Sequence, residues 1–140
     1  MIVVSPGVHL DIPELAAARA EGRRIVSEIE LASCFISRPI IAVTGTNGKT
    51  TTTTLIGEML RAGGKRAAVA GNIGRPLVEV DDKELDYVVA EISSYQLEAI
   101  DTFRPWISVM TSMPGRGDTG KLALTLLESE KSWYAKRSSV

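Results

Sequence analysis

The sequence predicts an α/β protein built on a parallel sheet and carrying a phosphate-binding loop. Three observations predict it. Short β-branched or small apolar runs alternate with segments of helical periodicity. Most of those runs end in a polar or glycine-bearing loop, and one of them, residues 40–43, leads directly into Thr44-Gly45-Thr46-Asn47-Gly48-Lys49-Thr50. Ligands of parallel sheets gather at the carboxyl ends of the strands, so the loops are where function is sought.

In chain order, Ile2-Val3-Val4 reads as a strand stopped by Ser5-Pro6-Gly7, and Asp11 is expected to cap a helix that starts at Pro13 and runs to Gly22. Ile25-Val26 forms a second short strand, followed by a helix around Ile29-Glu30-Leu31 that ends before Arg38-Pro39. A domain boundary is placed there. Ile40 to Val43 is a continuous apolar run of the kind covered on both faces, and after the polar loop Leu55, Ile56, Met59 and Leu60 recur at helical spacing until Gly63-Gly64. Three more strands follow: Ala67 to Ala70, ending in Gly71-Asn72-Ile73-Gly74; Tyr87 to Ala90, ending in Glu91; and Trp106 to Met110. Beyond Thr111, only Leu122, Leu126 and Trp133 suggest a shared helix face.

Composition narrows the function. The 140 residues are 44% hydrophobic and 24% charged, as in a globular protein, and a net charge of -1 gives no footprint for nucleic acid or an anionic membrane. Any anion must be bound locally. Cys34 is the single cysteine, so an internal disulfide and a thiolate metal cluster are excluded and a reducing cytoplasm fits. His9 is the single histidine, which excludes a histidine-rich metal site. No apolar run reaches the roughly 18 to 20 residues that span a bilayer, and Met1 leads into Ile2-Val3-Val4 without a charged region, so the chain is expected to be neither exported nor anchored.

The loop carries the chemistry. Between a strand and a helix, backbone N–H groups and the helix dipole converge on a polyphosphate, and Gly45 and Gly48 let the main chain approach it. Lys49 would neutralise the outer phosphate oxygens, and the Thr50 hydroxyl is placed to ligate Mg²⁺. The ordinary pattern has a glycine five residues before Gly48, where Val43 stands. A second match at Gly115-Arg116-Gly117-Asp118-Thr119-Gly120-Lys121 has better spacing, but Leu122 replaces the metal-binding hydroxyl and a surface loop accounts for it better. Glu91, at the end of a neighbouring strand, reads equally as a solvated strand-end acid and as a ligand of the ion beside Thr50.

The form Thr-Gly-Thr-Asn-Gly-Lys-Thr resembles the variant loop of the Mur ligase and folylpolyglutamate synthetase superfamily. Val89-Ala-Glu-Ile-Ser-Ser-Tyr-Gln-Leu-Glu98 resembles the matching segment of the D-glutamate-adding Mur ligases. So do Val3-Val4-Ser5-Pro6-Gly7-Val8, Ser27-Glu28-Ile29-Glu30-Leu31 and Gly71-Asn72-Ile73-Gly74, in the family's order, over residues 2 to about 110. The resemblance implies a three-layer parallel sheet with the phosphate loop, part of the family's central domain, preceded by the end of a Rossmann-like domain. Residues 1–38 would be the C-terminal portion of the UDP-substrate-binding domain and 39–140 the N-terminal portion of the ATP-binding domain.

By the same resemblance Gly45, Thr46, Asn47, Gly48, Lys49, Thr50 and Thr51 would bind ATP, with Lys49 catalytic and Thr50 and Glu91 on Mg²⁺. Gly7, Asn72 and Gln96 would contact UDP-N-acetylmuramoyl-L-alanine, with Ser93 near the metal site. The implied reaction is phosphoryl transfer to the alanine carboxylate, then attack of D-glutamate on the acyl phosphate. On the residues alone Gly7 reads first as a turn, Asn72 as a loop cap and Gln96 as a helix-surface amide, and it is the resemblance that reverses the preference.

After Met110 the family continues with an Asn, an Asp-His-(Leu/Met)-Asp motif and a lysine that becomes carbamylated, whereas this chain has Thr111-Ser112-Met113-Pro114-Gly115-Arg116-Gly117-Asp118. That motif is absent. Tyr134-Ala135-Lys136-Arg137 resembles the lysine segment at long spacing, and Lys131 is as near by distance, so neither lysine is carried over. A frameshifted tail and a divergent one both remain open. The family's D-glutamate site would lie outside the chain, which alone is expected to be inactive as a ligase. Two other readings stay open: another amide ligase of the superfamily, and a P-loop module that holds nucleotide without making a bond.

Overall fold

The computed structural model describes residues 1–112. The apolar face at Leu122, Leu126 and Trp133, the second loop-like match at 115–121, and Lys131 and Lys136 lie outside the described residues.

Two parallel sheets organise the chain. Strands β1 (Ile2–Val4) and β2 (Ile25–Ser27) pair in parallel across helix α1 (Pro13–Ala20). The second sheet has the order β4-β5-β3-β6 and is parallel throughout, from β3 (Ile40–Thr44), β4 (Ala67–Gly71), β5 (Tyr87–Glu91) and β6 (Ile107–Met110). The chain leaves β3 through helix α3 (Lys49–Ala62) and crosses β5 to reach β4. It leaves β5 through the short helix α4 (Ser94–Leu97) and crosses β3 in the other direction to reach β6. Right-handed crossovers in opposite directions put α3 and α4 on opposite faces, which makes three layers.

Each face has its own core. Ile41, Val43 and Val89 point toward α3 and are joined by Ile56 and Leu60. Ala42, Val88 and Ala90 point the other way, into a cluster with Leu97, Phe103 and two residues of helix α2 (Glu28–Ser33), Ile29 and Ala32. A run buried on both faces cannot alternate in polarity, which is why β3 and β5 read as continuous apolar stretches.

Two local expectations are corrected. Asp11 does not cap α1; the N-cap is Ile12 and makes no side-chain hydrogen bond, because Pro13 already occupies the first turn, where its missing N–H leaves one fewer donor to satisfy. The apolar face of α3 also differs from the one its largest residues suggest. Leu55 and Met59 face solvent, at 57% and 63% exposure, while Thr53 and Gly57 are buried. A Cβ added at Gly57 would come 2.5 Å from Val69 Cγ2, so the helix lies close enough to the sheet that small residues must face it. A 3₁₀ turn (Leu77–Glu79) lies where the sequence offered no element.

The β1–β2 unit is tied to the segment leading into β6 by the Ser27 N–H to Ala99 carbonyl bond (2.8 Å) and, just after β2, by a buried carboxylate. Glu30, 2% exposed, accepts from the backbone N–H groups of Asp101 (3.0 Å), Thr102 (2.8 Å) and Phe103 (2.8 Å) and from the Thr102 hydroxyl (2.5 Å). Burial pushes its pKa up, but these hydrogen bonds to the ionised form outweigh burial and hold it below the ordinary value of 4.5.

Candidate nucleotide and metal site

Four loops meet at the carboxyl ends of the parallel strands: residues 45–48 after β3, Asn72 after β4, the end of β5 at Glu91, and Thr111-Ser112 after β6. The first turns sharply into α3 because Gly48, the N-cap, adopts φ +80°, a left-handed conformation that glycine takes without strain. The helix therefore begins at Lys49, with its first-turn N–H groups turned toward the loop. The Lys49 ammonium donates back to the carbonyls of Gly45 (2.8 Å) and Thr46 (3.4 Å).

The centre of the site is a hydroxyl–carboxylate pair. Thr50 Oγ1 donates to Glu91 Oε2 at 2.8 Å, and Glu91 is 2% exposed although it ends a strand. A buried carboxylate needs partners. The second oxygen, Oε1, accepts from Asn72 Nδ2 at 3.2 Å, and the Asn72 backbone N–H donates to the Glu91 carbonyl at 2.8 Å. Asn72 thus holds Glu91 from both main chain and side chain, a role its sequence position did not reveal. Gly71 makes that approach possible: its φ is +107°, and a Cβ there would press on the Glu91 carbonyl oxygen. Gly71→Ala is expected to destabilise the chain by about 2 kcal/mol through backbone strain and crowding, measured as a shift in the urea unfolding midpoint.

Ser93 and Gln96 sit just beyond Glu91 and form a capping box. Ser93 Oγ accepts from the Gln96 N–H (3.3 Å), while Gln96 Oε1 accepts from the Ser93 N–H (2.9 Å) and hydroxyl (3.1 Å). Gln96 is 3% exposed, so the surface-amide reading does not hold. The Ser-x-x-Gln spacing is the sequence signal that announces such a box. Gly7 lies apart from this hydrogen-bonded cluster, in the loop after β1, with φ +88°. Its segment approaches α4 through His9, whose ring meets Tyr95 edge-on with centroids 6.2 Å apart. Thr46, Asn47 and Thr51 are exposed around the loop and the first turn of α3.

Sequence reading missed Thr111 and Ser112. Thr111 N–H donates to the Thr44 carbonyl (2.9 Å), and its hydroxyl donates to the Asn47 carbonyl (2.5 Å). Ser112 Oγ accepts from the N–H groups of Thr46 (3.1 Å) and Asn47 (3.0 Å). The pairing of β3 with β6 brings them there, and sequence alone does not order the strands of a sheet.

The donor set fits a hard divalent cation only in part. Thr50 and Glu91 offer hydroxyl and carboxylate oxygen, but no group of three His, Cys, Asp or Glu residues occurs among the described residues. Such a site suits Mg²⁺ completed by phosphate oxygens and water rather than an ion caged by protein alone.

The model of the Mur ligase middle domain matches residues 43–114, just over half of the chain. The chain belongs to the Mur ligase family. Among similar proteins, the UDP-N-acetylmuramoylalanine--D-glutamate ligases of Citrifermentans bemidjiense and Desulfatibacillum aliphaticivorans are 54% and 55% identical over 115 residues, 81% of this chain. The chain spans only 25% and 26% of the length of those two relatives. A solved Mur ligase structure, UDP-N-acetylmuramate:L-alanyl-gamma-D-glutamyl-meso-diaminopimelate ligase from Neisseria meningitides, superposes with a TM-score of 0.55 at 17% identity, covering 91% of this chain and 47% of that one. At that identity the likeness speaks for the fold. Membership in the Mur ligase family thus joins the parallel three-layer sheet to the variant loop read at residues 44–50. No helix among the described residues is long and apolar enough to cross a membrane.

Proposed function

We propose that this chain carries the ATP-phosphate and Mg²⁺ part of a cytoplasmic ligase that joins D-glutamate to UDP-N-acetylmuramoyl-L-alanine in peptidoglycan synthesis. The observation that carries the reading is the Thr50–Glu91 contact of 2.8 Å beside a glycine-built loop at a helix start. Gly45 to Thr51 line the nucleotide phosphates, and Lys49, released from its contacts with the Gly45 and Thr46 carbonyls, neutralises charge on the transferring phosphoryl group. Mg²⁺ bound there would supply charge neutralisation to the phosphate oxygens. Glu91 is oriented for this by Asn72, much as outer-sphere groups orient ligands in metal sites. Gly7, Asn72, Ser93 and Gln96 are assigned to the UDP-muramoyl-alanine side, with Ser93 next to the metal.

Residues 1–38 are assigned to the end of a UDP-substrate domain and 39–140 to the start of the ATP-binding domain; the separate β1–β2 sheet supports the division. Names of relatives four times as long support the amide-forming reaction, and we assign the D-glutamate site to the part of those relatives that this chain does not span. The chain by itself is therefore expected to form no amide from the two substrates and ATP, assayed by product chromatography.

Manganese tests the metal assignment without any turnover. Glu91→Gln keeps the shape and removes the charge, and is expected to weaken Mn²⁺ binding to the nucleotide-loaded chain about tenfold, read by electron paramagnetic resonance of free Mn²⁺. Unchanged Mn²⁺ affinity would remove Glu91 from the site.

A further inference from the structure

We propose that Ser112 is an internal occupant of the phosphate loop, so that a nucleotide must displace its hydroxyl before it can bind. The inference rests on reading residues 44–50 as the nucleotide site. Two consecutive backbone donors, the N–H groups of Thr46 and Asn47, converge on the single oxygen of Ser112 at 3.1 and 3.0 Å. Convergent main-chain N–H groups of this kind form an anion-binding concavity. Ser112 Oγ in turn donates to the Thr46 hydroxyl at 3.1 Å. The donors that a phosphate oxygen would use are thus already engaged by an oxygen of the chain itself.

Ser112 is delivered to the loop by the strand before it. Thr111 is held to the Thr44 carbonyl through its N–H (2.9 Å) and to the Asn47 carbonyl through its hydroxyl (2.5 Å). Gly45 permits the approach: a Cβ there would collide with the Thr111 hydroxyl and lie 2.9 Å from the Ser112 nitrogen. Meanwhile Lys49 is turned onto loop carbonyls rather than outward. A phosphate entering this loop exchanges two existing N–H···O bonds for two new ones, so it gains less than it would from a loop whose donors face water. The competent fraction of the loop scales the apparent affinity.

The test compares the full chain with Ser112→Ala, Ser112→Thr and Lys49→Ala, titrating Mg²⁺-ATP by calorimetry. Ser112→Ala is expected to bind about fivefold more tightly, the worth of roughly one net hydrogen bond, while Ser112→Thr, which keeps the hydroxyl, binds like the parent. Amide exchange gives a readout without ligand: the Thr46 and Asn47 N–H protons should exchange faster in Ser112→Ala than in the parent. Equal exchange rates, or equal affinity in parent and Ser112→Ala while Lys49→Ala still weakens binding, would overturn the occupancy and leave the nucleotide site standing. Absence of binding in all four proteins would overturn both.

Discussion

Glu30→Ala is expected to destabilise the protein by about 3–4 kcal/mol, because it strands three backbone donors at once. The N–H groups of Asp101, Thr102 and Phe103 all point at this carboxylate, and Phe103 is only 1% exposed, so water cannot replace the lost acceptor there. The same contacts join α2 to the segment that leads into β6, the strand that brings Thr111 and Ser112 to the loop after β3. Loss of Glu30 should therefore loosen the loop's surroundings as well as lower the urea midpoint. Glu30→Gln, which keeps an acceptor oxygen, should cost about half as much.

The same carboxylate sets an acid limit on stability. Its folded pKa lies below the ordinary 4.5, so the unfolded chain takes up its proton first as the pH falls. Its contribution is complete above the unfolded value and is lost as the pH drops through the folded one. Thermal melts from about pH 6 to about pH 3 should show the gap between parent and Glu30→Gln narrowing only below about 4.5. A constant gap would mean that the charge contributes nothing. Arg24, 3.4 Å from Oε1, is half exposed and adds little.

The parts of this fold that could be read in advance were those governed by local chemistry. β3, β5 and the loop between β3 and α3 are spelled out by apolar runs and by glycines that only a turn explains. The family resemblance added Glu91 to Thr50, and the two side chains do meet. What could not be read depends on the strand order β4-β5-β3-β6. Only that order sets Asn72 beside Glu91 and Ser112 against Thr46. The outward-facing Leu55 and Met59 mislead for a related reason, since closeness of helix to sheet at Gly57 overrides side-chain size. The Ser93–Gln96 box is legible in the Ser-x-x-Gln spacing, but the resemblance points Gln96 at the substrate and Ser93 at the metal instead of at each other.

The second large effect is expected at Lys49. Its ammonium rests on the carbonyls of Gly45 and Thr46, weak partners compared with phosphate, so under the proposed function its expected contribution to nucleotide binding is a charge-assisted hydrogen bond formed only when phosphate arrives. Such bonds are worth about 1.5–3 kcal/mol, or roughly ten- to a hundredfold in affinity. Removing the group should leave the fold intact, since Lys49 begins α3 with its side chain directed at its own loop. A thermal melt unchanged from the parent would confirm this.

Calorimetric titration of Mg²⁺-ATP into the chain and into Lys49→Ala therefore tests the central claim, that residues 44–50 with Glu91 form a working phosphate and metal site. The account predicts saturable binding by the parent, at least about tenfold weaker binding by the variant, and loss of the parent's binding when the metal is removed with chelator. Equal affinity of the two proteins, or binding indifferent to the metal, would contradict it.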